Sequence, residues 1–156
     1  DFFGSMGFHG TMCLSAIAAI RENYRGAATG AQYYIMRTEE ADTESPKELD
    51  NWVAAIELAD SLGVHISSTS LGYTEFDNPD YNFTYQDMDG RSNRASRAAT
   101  IAARKGMLVI VAAGNEGTKP WYYISAPADA DSILTVGAVD TDGYIAPFSS
   151  YGPTSD

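Results

Sequence analysis

The run Met107–Ala113, MLVIVAA, contains no charged, hydroxyl or amide side chain. A strand this apolar offers no face to water, so it is expected in a parallel sheet, buried on both faces. What lies around it agrees. Ahead of it, SNRASRAATIAARK has the spacing of an amphipathic helix closed by Gly106, and before that VHISSTSLG, from Val64, reads as a strand. Further upstream, Ser45 stands as an N-cap, Pro46 takes the first helical position and Glu48 follows three residues after the cap. Leu49, Trp52, Val53, Ile56, Ala59 and Leu62 then recur at spacings of three and four, and Gly63 ends that helix in a left-handed cap. Thr11–Ile20 reads as a helix, Ala31–Thr38 as a strand, SILTVGAV as another strand, and YIAPFSSYG as a short strand or loop. Alternating strands and helices predict an α/β fold with a doubly wound, mostly parallel sheet flanked by helices. Ligands of such folds sit beyond the carboxyl ends of the strands, so the ends at Ser70–Gly72 and Ala112–Gly117 draw the search for a site.

Composition narrows the functions. The chain has 156 residues, the size of one domain or most of one. Its 21 acidic and 10 basic side chains give a net charge of −11, which excludes a nucleic-acid binder needing a basic face. No apolar run reaches the ~18 residues of a membrane span. The opening DFFGSMGF lacks the basic and apolar regions of a signal peptide. Neither a G-x-G-x-x-G after the first strand nor a G-x-x-x-x-G-K-[ST] loop supports nucleotide binding. Cys13 is the single cysteine, so an intrachain disulfide and a cysteine zinc cluster are excluded. It reads as a buried small hydrophobe, or else as a free thiol facing a reactive cleft.

Three short stretches can carry chemistry, each with a bland alternative. In AAGNEG a strand ends in small residues, and the Asn115 carboxamide could donate to a developing oxyanion. The plain reading is an asparagine in a left-handed turn. In STSLG, Ser70 could be a nucleophile, or the segment a strand end that pairs with an extended peptide, or simply a strand-to-loop junction. In FHGT, His9 could be a general base with Gly10 leaving room beside the ring and Thr11 helping to cap the helix, or a structural histidine. A helix N-terminus disfavours the protonated ring, so a catalytic histidine there needs a carboxylate partner.

Taken in order, HGT, SLG, AAGNEG and APADADSILTVGAVDTDGYIAPFSSYGP resemble the subtilisin-like serine proteases, from about Gly7 to Pro153. The resemblance implies that His9 is the general base and Asn115 the oxyanion donor. It makes Ser70, Leu71 and Gly72 one wall of the substrate channel, and Ala112, Ala113 and Gly114 the facing wall; Ser70 is then not the nucleophile. It implies a polypeptide substrate, no required cofactor, and secretion as the family's habit. Structural calcium is common in the family, but no ligand set is assignable here. Asp87–Gly90, DMDG, faintly echoes a calcium loop and is read instead as an Asp-Gly turn.

The departures are specific. Leu14 and Ser15 stand where the family carries smaller residues after HGT, and the loop Tyr73–Arg91 is longer and more aromatic. The family's order is Asp, His, Ser. Asp1 lacks the following Ser/Thr-Gly of the aspartate motif, and Ser155 lacks the glycine and apolar residues of the serine motif, so neither role is assigned. The chain is therefore expected to be an internal part, 1–156, of one catalytic domain, without the aspartate strand and the serine helix. It is expected to be inactive alone. A pseudoprotease or peptide-binding module on the same fold is the alternative, and an unrelated doubly wound binding domain the more remote one.

Overall fold

The computed structural model describes residues 7–40 and 42–156, in two compact units divided between residues 37 and 38. In the first, α1 spans Phe8–Ala18, starting earlier than the expected Thr11 and ending before Ile20. Thr11 is therefore not a cap. It lies in the first turn, and its hydroxyl donates to the Gly7 carbonyl at 2.8 Å. After α1 the chain folds back through β1 (Ile20–Arg21) and β2 (Tyr24–Arg25), an antiparallel pair. The Tyr24 hydroxyl donates to Ala16 O at 2.7 Å, and the Gly26 and Ala28 amides donate to Ala19 O and Ile17 O. A Cβ on Gly26 would collide with the Ile17 carbonyl, so this approach requires glycine. The strand expected at Ala31–Thr38 is absent: the segment is irregular and joins no ladder among the described residues. Its aromatic and β-branched composition suits a pleated surface, but a strand exists only through a partner.

In the second unit, α2 spans Lys47–Ser61 with Pro46 as its N-cap, one residue later than expected. The Glu48 carboxylate still reaches back, accepting the N–H of Ser45 at 3.4 Å and of Glu40 at 2.7 Å. At the other end Gly63 has φ +71; its N–H donates to Asp60 O, and that of Val64 to Ala59 O, a Schellman closure. Leu49, Trp52, Ile56 and Ala59 are buried as the periodicity predicts, whereas Val53 is half-buried and Leu62 exposed. Leu62 is the C-cap residue, past the last turn that faces the core.

The sheet contains β3 (Ile66–Thr69), β4 (Leu108–Ala112) and β5 (Leu134–Val136), all parallel, in that order. Between β3 and β4 runs α3 (Arg94–Arg104), capped by the Asn93 side chain on the Ala95 amide at 2.7 Å and closed by Gly106 at φ +105. It packs on α2 and β4. Ala95, Ala99 and Ala102 are buried, small residues that let the helix approach the sheet closely. The α/β class with a parallel sheet thus holds in incomplete form. The expected burial of β4 on both faces does not. Val109 and Val111 are buried, but Leu108 is 46% exposed, and on the same face Ile66, Leu134 and Val136 are about half exposed. Among the described residues no helix is long and apolar enough to cross a membrane.

Buried Asp129 ties the connections together. It accepts the Ser96 hydroxyl at 2.5 Å and the Gly90 N–H at 2.9 Å, joining α3, the loop before it and the β4–β5 connection. Asp129→Ala would leave both donors without an acceptor and should cost about 2–4 kcal/mol in urea unfolding. Burial raises the Asp129 carboxyl above its ordinary value. Its folded form therefore binds a proton at pH values where the unfolded chain has lost it, and stability declines as pH rises through that window. Asp129→Asn, which cannot titrate there, should abolish this share of the decline in unfolding midpoints measured across acidic pH.

Candidate functional site

Parallel register places Thr69 beside Val111, so β3 and β4 release the chain at the same end of the sheet. Ser70–Gly72 leaves one strand and Ala113–Asn115 the other. Ala113 remains tied to the sheet, donating its N–H to Val136 O at 2.9 Å. Both walls are then stitched to a third segment, Ser125–Ala126. The Ser125 N–H donates to Ala113 O at 3.3 Å, and Tyr73 and Ala126 exchange backbone bonds of 2.8 and 3.3 Å. The expected wall residues Ser70, Leu71, Gly72, Ala112, Ala113 and Gly114 are thus brought to one end of one sheet, with Ser125 between them.

The contacts explain the glycines. A Cβ on Gly72 would lie 2.7 Å from Ser125 Cβ. A Cβ on Gly114 would lie 3.1 Å from Ser125 Oγ and 2.7 Å from Ser150 Oγ, and its φ of +117 favours glycine in any case. Past it, the Asn115 carboxamide is exposed and makes no hydrogen bond with another described residue. Its two N–H donors are free for a ligand. The next residue, Glu116, is occupied by an ion pair with Lys119 at 2.9 Å.

Tyr73 anchors the first wall from behind. Its ring is buried, and its hydroxyl donates to Glu39 Oε1 at 2.7 Å. Burial, and then the adjacent Glu39 carboxylate, push the phenol far above its ordinary pKa, so it stays a neutral donor. Neither Ser125, Ser150 nor Tyr73 is marked by spacing in the sequence. Each matters through contacts with segments distant along the chain.

His9 belongs to the other unit, as the second residue of α1, and its ring is exposed. Its Nε2 is 3.6 Å from Cys13 Sγ, one turn along the same helix face. Cys13 is half-buried, so the expectation of a fully buried small hydrophobe is corrected: no residue of α1 is buried. A Cβ on Gly10 would meet nothing within 4 Å among the described residues, so none of them requires glycine there.

The expected Asp-Gly turn over Asp87–Gly90 is instead the last residue of a short 3-10 helix, Tyr85–Asp87, followed by a bend at Asp89 and Gly90, with Gly90 at φ +69 and its N–H given to Asp129. The Asp87 carboxylate accepts the Thr84 N–H and hydroxyl, and Asp89 those of Ser92 together with the Arg91 N–H. The bonds from Ser92 and Arg91 hold the Asp89 carboxyl below its ordinary range. Both carboxylates are thereby committed to local backbone. Among the described residues no group of three or more His, Cys, Asp or Glu is placed to hold a metal ion.

Comparison with known proteins gives consistent matches. Residues 4–156 match the model of the subtilase family. Subtilisin BL of Lederbergia lenta is 29% identical over 150 residues, 95% of this chain and 48% of that protein. A thermostable alkaline protease of Halalkalibacterium halodurans is 31% identical over 147 residues, 93% of this chain and 35% of its own length. Among solved structures, the self-cleaved protease domain of PatA has a TM-score of 0.70 at 25% identity, covering 98% of this chain and 51% of that one. MycP1 without its N-terminal propeptide has 0.67 at 20% identity, covering 92% and 50%, a likeness of fold. The chain thus spans about half, or less, of these relatives.

If close approach is what demands glycine in the second wall, Gly114→Ala should cost about 2–4 kcal/mol in urea unfolding, combining left-handed strain with overpacking. Gly63→Ala supplies the comparison. It also has positive φ but faces open space, so it should cost only the strain, about 1–2 kcal/mol. Equal losses at both positions would count against the close approach.

Proposed function

Because the chain belongs to the subtilase family, we propose that it forms the middle of a serine endopeptidase domain, supplying the general base, the oxyanion donor and the substrate-channel walls. The observation that carries this reading is the convergence of Ser70–Gly72 and Ala112–Gly114 on Ser125, with the carboxamide of Asn115 at the end of the second wall exposed and without a hydrogen bond among the described residues. An extended polypeptide would pair with the backbone of the walls. A serine from a further segment attacks the scissile carbonyl. His9 accepts the serine proton and returns it to the leaving amine, while an aspartate, also from a further segment, orients the imidazole. The carbonyl oxygen becomes an oxyanion, and Asn115 donates to it from a fixed position. No cofactor enters these steps, no calcium ligand set is assigned, and the protein is read as secreted.

The second reading is a peptide-binding module or pseudoprotease. It is favoured by one feature: the walls are held by backbone bonds and small residues, which bind an extended chain whether or not the chemistry is complete.

The 156-residue chain, purified alone, should cleave no peptide substrate, since it offers one triad member. Turnover blocked by a serine-directed phosphonate would overturn this. In the assembled catalytic domain, Asn115→Ala should lower kcat on the order of 10²–10³-fold with little change in KM, the size established for the oxyanion asparagine of a subtilisin and taken over from it. Equal effects on kcat and KM would argue for the binding module.

A further inference from the structure

Asn115 is held from both sides by one residue. Ser150 lies in the FSSY stretch and is almost fully buried. Its N–H donates to the carbonyl of Gly114 at 3.0 Å, and its Oγ accepts the N–H of Glu116 at 3.0 Å. These two bonds fix the peptide unit before Asn115 and the one after it. Next along, Gly117 donates its N–H to Phe148 O at 3.0 Å, so the turn lies along the returning segment. A Cβ on Gly117 would strike the Ser149 carbonyl, which shows how closely the two backbones run.

We propose that Ser150 is a positioning residue for Asn115. The inference rests on the oxyanion reading of Asn115. A side-chain donor stabilises a developing charge only if it already points to where the charge appears, because reorientation during the reaction consumes the gain. Asn115 is exposed, its carboxamide has no partner among the described residues, and the glycine before it is conformationally permissive. Local sequence therefore does nothing to aim it. Ser150 supplies the restraint by holding the flanking peptide planes, which leaves mainly the side-chain torsions of Asn115 free. The role needs both an N–H and an acceptor oxygen with no bulk beyond it, since Oγ sits against the face of Gly114.

The test uses the assembled catalytic domain. Ser150→Ala keeps the N–H and removes the acceptor; it should lower kcat about tenfold and leave KM within about twofold. Ser150→Cys keeps the side-chain shape with a weak acceptor and should move in the same direction, which covers the case in which the alanine variant fails to fold. Ser149→Ala is the control. It removes another buried acceptor, for the Ala138 N–H at 3.0 Å, and a long 3.5 Å donation to the Ser150 carbonyl, which bonds neither peptide flanking Asn115; it should lower stability while kcat stays unchanged. In an Asn115→Ala background, Ser150→Ala should change kcat less than twofold, because no donor remains to be aimed. Equal losses from Ser149→Ala and Ser150→Ala, or the same Ser150→Ala loss in both backgrounds, would mean a merely structural bond and overturn the proposal. If Asn115→Ala lowers kcat and neither Ser150 variant does, the positioning role falls and the oxyanion role stands. If Asn115→Ala leaves kcat unchanged, the oxyanion reading itself falls.

Discussion

The parallel ladder between β3 and β4 is the constraint on which the site of the second unit depends. Its register, from Ile66 beside Leu108 to Thr69 beside Val111, makes two strands far apart in sequence end at the same level. Strand ends are where backbone N–H and C=O groups leave the ladder and become free to bind something else. α3 makes the ladder possible by carrying the chain back to the start of the sheet. Its buried alanines let it lie close against β4, and the caps at Asn93 and Gly106 set its length. Val109 and Val111 face the packed side, so the register of β4 is held by burial as well as by hydrogen bonds.

Beyond the strands, the walls are set by backbone approaching backbone. Gly72 and Gly114 are glycines because the Ser125 and Ser150 side chains come close to where a Cβ would stand. The serines are small enough to enter those gaps, and they bring hydrogen-bonding groups with them. The Ser125 amide secures one wall, and Ser150 secures the turn carrying Asn115. This arrangement exposes a polar side chain on a rigid support, as a binding or catalytic group requires. Asp129 works one layer further back. Its desolvation is offset only in part by bonds from Ser96 and Gly90, and those bonds join segments that no ladder connects.

Legibility in the sequence followed the range of the interaction. The ends of α2 and α3 were readable because caps are local: Gly63 and Gly106 adopt positive φ just past the last turn, and Glu48 reaches back over three residues. The buried face of α2 was readable from its spacing except at Val53, which is half-buried, and Leu62, which lies past the end of the helix. Ala31–Thr38 misled because its composition suits a strand while strand formation needs a partner, which composition cannot supply. β1 and β2 escaped notice because two-residue strands leave no alternation to read. The half-exposed face of β4 could not be foreseen from MLVIVAA, since a run apolar on both parities says nothing of which parity is covered.

By itself, the sequence determined the α/β alternation, the helix boundaries to within a few residues, the two glycine-bearing strand ends, and the short stretches that mark the family. These depend on residues near one another in the chain, whose preferences act through local backbone and side-chain geometry. The tertiary structure alone decided that Ser125 lies between the two walls, that Ser150 grips both sides of Asn115, and that Asp129, in the β4–β5 connection, is buried against Ser96 of α3. Each of these is a hydrogen bond or close contact between segments more than thirty residues apart, except the shorter spans from Ser125 to Ala113 and Gly114. Such a contact forms only after the ladder and the packed helix have brought the segments together, so it leaves no periodic or compositional trace.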